Sequence, residues 1–220
     1  MYKMEHIHRM SAEEKKLLRR SWFVMAPQIN ELGREIFDMI FSQAPDTKTL
    51  FPFMNLKKPP SEKVLKEIEF HGLRFMQIIE TTIKALDNPQ AMQSLEQILD
   101  NLGRRHGKLT ENRGFSPHHW SVFIECCLYH FRMMMAEDSY FNSVVVIDRA
   151  MILWRILLKS IIKRMKIGLQ QDLKNRQANR DYAANEFDGL TISSTDSGDR
   201  RRPQLCKSSS LLNSSTDSAC

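Results

Sequence analysis

Between Ser11 and Ile161 apolar residues recur at intervals of three and four, and each run breaks where a helix-starting or helix-ending residue falls. This pattern constrains the fold more than any other feature, because it leaves room for helices only. Ser11-Ala-Glu-Glu14 forms a capping box, in which Ser11 accepts from an orphan amide while Glu14 reaches back. Leu17, Leu18, Trp22 and Met25 then mark one face, and Pro27 ends or bends that helix. Ile29, Leu32, Ile36, Phe37, Ile40 and Phe41 continue the stripe to Pro45, whose ring suits the first turn of a short helix. Pro59-Pro60-Ser61 opens a longer one carrying Val64, Ile68, His71, Phe75, Ile78, Ile79 and Leu86 in line. Asn88-Pro89 and Ser116-Pro117 are further start signals. The first precedes Met92, Leu95, Leu99, Leu102 and His106; the second precedes Trp120, Phe123, Ile124, Cys127 and Phe131. A last helix runs from about Phe141 through Ile161. No alternation of period two occurs, so an all-α domain of six to eight helices is expected.

The periodicity fades near Gly168. Gln170–Arg180 reads as a prolonged helix, but the stretch from Thr191 to Cys220 has 9 Ser and no aromatic residue. Such a stretch cannot bury enough surface to offset the entropy of ordering it. The expected organisation is an N-terminal extension over 1–10, a folded domain over 11–170 and a disordered Ser-rich tail over 171–220. The formal charge of +6 is spread among acids through the first 168 residues. Lys159, Lys163, Arg164 and Lys166 read as a solvated face near a helix end, where cations suit the dipole. No nucleic-acid motif accompanies the charge, and no nucleic-acid partner is expected. The most apolar run, Met151–Leu158, is short and carries Arg155, so no transmembrane segment is expected. Four cysteines without a Cys-x-x-Cys, and a start without a signal-peptide core, point to a cytoplasmic chain.

His71 and His106 stand apart from the other five histidines. Each lies on the apolar stripe of its own helix, and the two helices are consecutive, so a crossed or antiparallel pair turns both rings toward one space. Imidazole is a good ligand for iron, zinc and copper, and one suffices to hold haem iron from one side. A core imidazole bonded to backbone fits the same pattern, and spacing leaves metal, haem and structural readings open.

Trp22, Pro45 and Thr49-Leu-Phe51-Pro-Phe53 resemble the opening of animal globins. Phe51 falls six residues after Pro45 and 29 after Trp22, spacings like those of vertebrate globin chains. His71-Gly-Leu-Arg-Phe75 is similar to the globin distal segment, and Leu102-Gly-Arg-Arg-His106 to the proximal segment of neuroglobin-type chains. Gly114-Phe-Ser-Pro-His-His-Trp120 resembles the start of the penultimate globin helix. The resemblance spans about 11–168 and implies a globin fold, helices packed around a haem pocket. It departs from the family in a longer link between the distal and proximal helices, in Lys108–Gly114, and in both chain extensions.

The resemblance implies haem b (Fe-protoporphyrin IX) as cofactor, His106 as proximal iron ligand and His71 facing the other side, as hydrogen-bond donor to O2 or as second iron ligand. Phe51 would pack on the porphyrin, with Phe37 and Phe75 walling the distal pocket. It implies reversible binding of O2 or other diatomic ligands, for storage, transport or sensing. Its alternative is a six-coordinate redox globin for electron transfer or nitric oxide, nitrite or peroxide chemistry. No general acid–base pair is evident, so an enzyme is not expected. A helical interaction module without haem, a homodimer and a tail-binding partner stay open. His6 and His8 are expected at the surface, and at most one of His118 and His119 facing inward. Cys126, Cys127 and Met133–Met135 read as fillers of the core. Arg200–Arg202 with Ser208–Ser210 reads as a solvated charge run.

Overall fold

A computed structural model of the chain describes residues 4–54 and 60–192, with side chains as far as 185. Its helices are α1 (Glu5–His8), α2 (Ala12–Met25), α3 (Ile29–Gln43), α4 (Glu62–Lys84), α5 (Pro89–Arg113), α6 (Pro117–Glu137) and α7 (Val144–Ile192). Tight 3-10 turns occupy Ala26–Gln28, Pro45–Leu50 and Ser139–Phe141. No strand occurs among the described residues. The start signals act as read: the Ser11/Glu14 box is closed from both sides, Ser61 accepts from Val64 N–H, and Asn88 accepts from Ala91 N–H. α5 ends at Gly114, whose φ of 75° is the left-handed conformation that glycine adopts without strain.

The centre of the core is Leu18, Met25, Ile36, Phe131 and Trp154, all fully enclosed. The Trp154 ring lies edge-on to Phe131 at 4.9 Å, and its Nε1–H donates to Ser21 Oγ at 2.8 Å, so the indole carries no orphan donor inside. Two glycine contacts set the helix spacing that matters for the site. A Cβ on Gly33 of α3 would lie 2.8 Å from the Gly72 backbone of α4, so these helices touch backbone to backbone. α5 and α7 meet in the same way: a Cβ on Gly103 would overlap the Met165 carbonyl, and one on Gly168 would overlap that of Asp100.

Three expectations need correcting. The stretch 171–192, expected within the disordered tail, is helical, because α7 runs past the expected prolongation at Arg180 to Ile192. Its extension is held by polar pairs, not by an apolar stripe: Gln171 accepts from Arg104, and Arg176 pairs with Asp172 and with Glu111 at 3.7 Å. Met1–Asn179 forms one compact unit and Arg180–Cys220 a second, of which the described part, 180–192, is helical. The disorder expected further along, and Arg200–Arg202 and Ser208–Ser210, lie outside the described residues. Arg164 does not lie on a solvated face. It is buried, with its guanidinium against Asp100 and 3.6 Å from buried Glu96. The N-terminal extension also packs, through Met4, Ile7 and Met10, and Met4 N–H donates to Glu96 Oε1 at 2.9 Å.

Candidate functional site

The Gly33–Gly72 contact brings α3 and α4 close enough for Phe37, one turn beyond Gly33, to meet His71, the neighbour of Gly72. The Phe37 and His71 ring centroids are 5.0 Å apart at 82°. Phe51, just past the Pro45–Leu50 turn, lies on the same imidazole at 5.1 Å and 87°, and itself packs on Phe37, Phe41 and Phe53. Two aromatic edges therefore fix the His71 ring. Phe75 stands one turn further along α4, with its ring edge-on to Phe123 of α6 at 4.6 Å.

His106 is held from the other side. Its Nδ1 is 2.8 Å from the Leu102 carbonyl. A carbonyl only accepts, so Nδ1 carries the proton and Nε2 keeps its lone pair. Phe115 and Trp120 flank the ring at 5.1 and 5.0 Å. These two residues escaped the reading of site residues from the sequence; Gly114, a helix stop set between His106 and two aromatics, was the signal that could have found them.

Both histidines are kept neutral. Burial among apolar groups pushes His71 down from its usual 6.5 to about 4, with repulsion from His106 and Arg74 adding to it. His71 nevertheless retains an exposed surface. Its ring therefore meets Phe37 and Phe51 on one side and solvent on the other. Burial also lowers the pKa of His106, against the opposing pull of the Leu102 carbonyl.

Neither nitrogen of His71, nor Nε2 of His106, has a hydrogen-bond partner among the described residues. Nor do those residues hold any group of three or more His, Cys, Asp or Glu suited to a metal ion. Two neutral imidazoles in an aromatic surround fit a metal that brings its remaining ligands with it, as haem iron does. His106 is in the ligating tautomer, with a carbonyl behind it of the kind that orients a metal-bound ring.

The remaining histidines play other parts. His6, His8 and His118 are exposed, while His119 is buried and bonded to Asp46 at 2.8 Å. His130 lies beside Glu35 at 3.5 Å. Cys126 and Cys127 are buried free thiols; burial raises Cys126 to about 11 and Cys127 well above its usual value, so neither is a ready nucleophile. Met135 is enclosed, whereas Met133 is exposed. No described helix is long and apolar enough to cross a membrane.

Comparison with known proteins agrees with this fold. A family model described as Globin matches residues 34–142. "Globin-related protein glb-13" of Caenorhabditis elegans is 32% identical over 168 residues, which cover 75% of this chain and 54% of that protein. "Hemoglobin heart muscle subunit alpha-type" of Aquarana catesbeiana is 33% identical over 100 residues, 46% of this chain and 72% of that one. Among solved structures, a hexacoordinated heme protein from an anhydrobiotic tardigrade superposes with a TM-score of 0.58 at 20% identity, over 74% of this chain and 96% of its own. Hemoglobin from the botfly Gasterophilus intestinalis gives 0.57 at 15% identity, over 73% and 99%. The fold is that of an all-α haem-pocket protein. The chain belongs to the globin family. It spans about half the length of the nematode relative.

Proposed function

We propose that the chain binds haem in the cleft between His71 and His106 and takes up O2 or another diatomic ligand reversibly. The observation that carries this is the state of His106: neutral, protonated on Nδ1 by its bond to Leu102, and with Nε2 free. Haem supplies the iron to which a diatomic ligand attaches. His106 Nε2 offers the lone pair that would hold this group, and Phe115 and Trp120 flank the ring. Phe51 and Phe37 supply an apolar distal wall on the protein side of His71. His71, neutral and unpartnered, is available to donate a hydrogen bond to the diatomic ligand. The sequence contains no Cys-x-x-Cys-His, which favours haem b held without thioether links. A carrier, store or sensor in the cytoplasm, without catalysis as its primary role, is part of this proposal.

A second reading has its own support. His71 stays uncharged down to about pH 4 and is gripped by two aromatic edges. That is the state of a ligand as well as of a donor, so His71 can close the sixth position at rest and favour electron transfer or nitric oxide, nitrite or peroxide chemistry.

His106→Ala tests the common core of both readings. Loss of a ligand's outer partner alone costs about 10–100-fold in metal affinity. Titration of the haem-free variant with haem is expected to show a loss at least that large. Unchanged affinity and an unchanged reduced spectrum would refute the assignment.

A further inference from the structure

Resting on the haem reading, we propose that His119 and Asp46 form a positioning couple that fixes Phe51 against His71 from the proximal side of the cleft. His119, in the first turn of α6, has only 6% of its surface exposed, and both its nitrogens are used. Ser116 N–H donates to Nδ1 at 3.1 Å, which places the ring proton on Nε2. Nε2–H in turn donates to Asp46 Oδ2 at 2.8 Å, across 73 residues of sequence. The bond from His119 holds the Asp46 carboxyl below the usual carboxylate range.

Asp46 belongs to the Pro45–Leu50 turn, and the other end of that turn is also tied to the proximal side. Arg113, the last residue of α5, donates from Nη1 to the Thr49 carbonyl at 3.0 Å. Phe51 follows directly, with its ring on His71. In the other direction the His119 ring lies 5.5 Å from Phe115, which packs on His106. A continuous path therefore runs from His106 through Phe115, His119 and Asp46 to Phe51 and His71. Capping alone does not explain the choice of residue. At this third helical position Glu or Gln accepts the Ser116 N–H without burying an imidazole. Histidine adds a second nitrogen that reaches across to the turn.

The two nitrogens can be separated by substitution. Asparagine at 119 places an acceptor where Nδ1 stands and removes the reach to Asp46; glutamine places a donor where Nε2 stands. Ring-proton shifts of His71 in the haem-free protein, which sense Phe37 and Phe51, give a readout that needs no haem. They are expected to move in His119→Asn and in Asp46→Ala and to stay near wild type in His119→Gln. With haem bound, the first two variants are expected to release it at least about threefold faster, within the range for coupled neighbours. Asp46 has a largely exposed side chain, so its replacement leaves the core intact. Parent-like His71 shifts and haem release in both disrupting variants would overturn the couple. A protein that takes up no haem would instead overturn the functional reading, while the His71 shifts would still decide on the couple.

Discussion

At the scale of single residues, His71 and His106 share a lining and differ in what holds them. His106 is oriented by a hydrogen bond and by two flanking aromatics, His71 by aromatic edges alone. Their depressed pKa values have a consequence for stability. Above pH 6.5 His71 is neutral both folded and unfolded. Between 6.5 and about 4 the unfolded chain binds a proton that the folded chain refuses, so stability falls as the pH drops through that window and the loss levels off below it. His106 acts in the same direction. Water reaching the open side of His71 keeps its share modest. Urea unfolding of the haem-free protein between pH 6.5 and 4 is expected to show this decline, and His71→Leu to flatten it; an equally steep decline in the variant would show that His71 is charged when folded. Both histidines were legible because each interrupts an apolar stripe. Phe115, Trp120 and His119 were not, because they surround a helix start, where the chain direction that decides their neighbours has no periodic trace.

At the scale of elements, α5 carries different chemistry on its two sides. Leu99, Leu102 and His106 face the core and the site, while Glu96, Asp100, Gly103 and Gly107 meet the N-terminal segment and α7. Arg164 and Gly168, one turn apart on α7, supply the cation and the gap that this second side requires. Helix capping and the apolar stripes announced each start and most lengths. The role of Arg164 did not show, since a basic residue among lysines reads as solvated until its acids, Asp100 and Glu96, are found on another helix upstream. The boundary drawn at 170 left out the helix beyond it for a related reason: Asp172, Arg176 and Glu111 hold that helix through charge, to which hydrophobic periodicity is blind. Gly168→Ala forces a methyl group into the Asp100 backbone and can be relieved only by parting α5 from α7. Overpacking of this kind costs about 1–3 kcal/mol. Thermal unfolding of the haem-free protein is expected to register that loss, and a variant as stable as the parent would contradict the backbone contact.

At the scale of the whole molecule, the family match over 34–142 is narrower than the packed structure. Met4–Met10 and α7 lie outside the match and contribute to the same core. Truncation separates what the fold needs from what it carries. A chain ending at Asn179 keeps Arg164, Gly168 and Arg176 and is expected to retain helicity and haem uptake. One ending at Lys163 leaves Glu96 and Asp100 without the Arg164 cation; breaking a buried pair costs about 3–5 kcal/mol, a large part of an ordinary domain's stability. Equal stability of the two truncations, measured by thermal unfolding, would remove α7 beyond 163 from the folded unit. The all-α class and the order of helices followed from sequence periodicity, whereas the seating of His71 against Phe37 depends on the glycine crossing of α3 and α4, a contact between residues 39 positions apart. The proposed holding of haem by His106 and His71 is the central claim, and an optical spectrum of the haem-loaded protein, oxidised and then reduced, with His106→Ala alongside, tests it most directly. A haem spectrum with histidine coordination in the parent, lost or strongly altered in the variant, is expected; a parent that binds no haem, or a variant with the parent's spectrum, would contradict it.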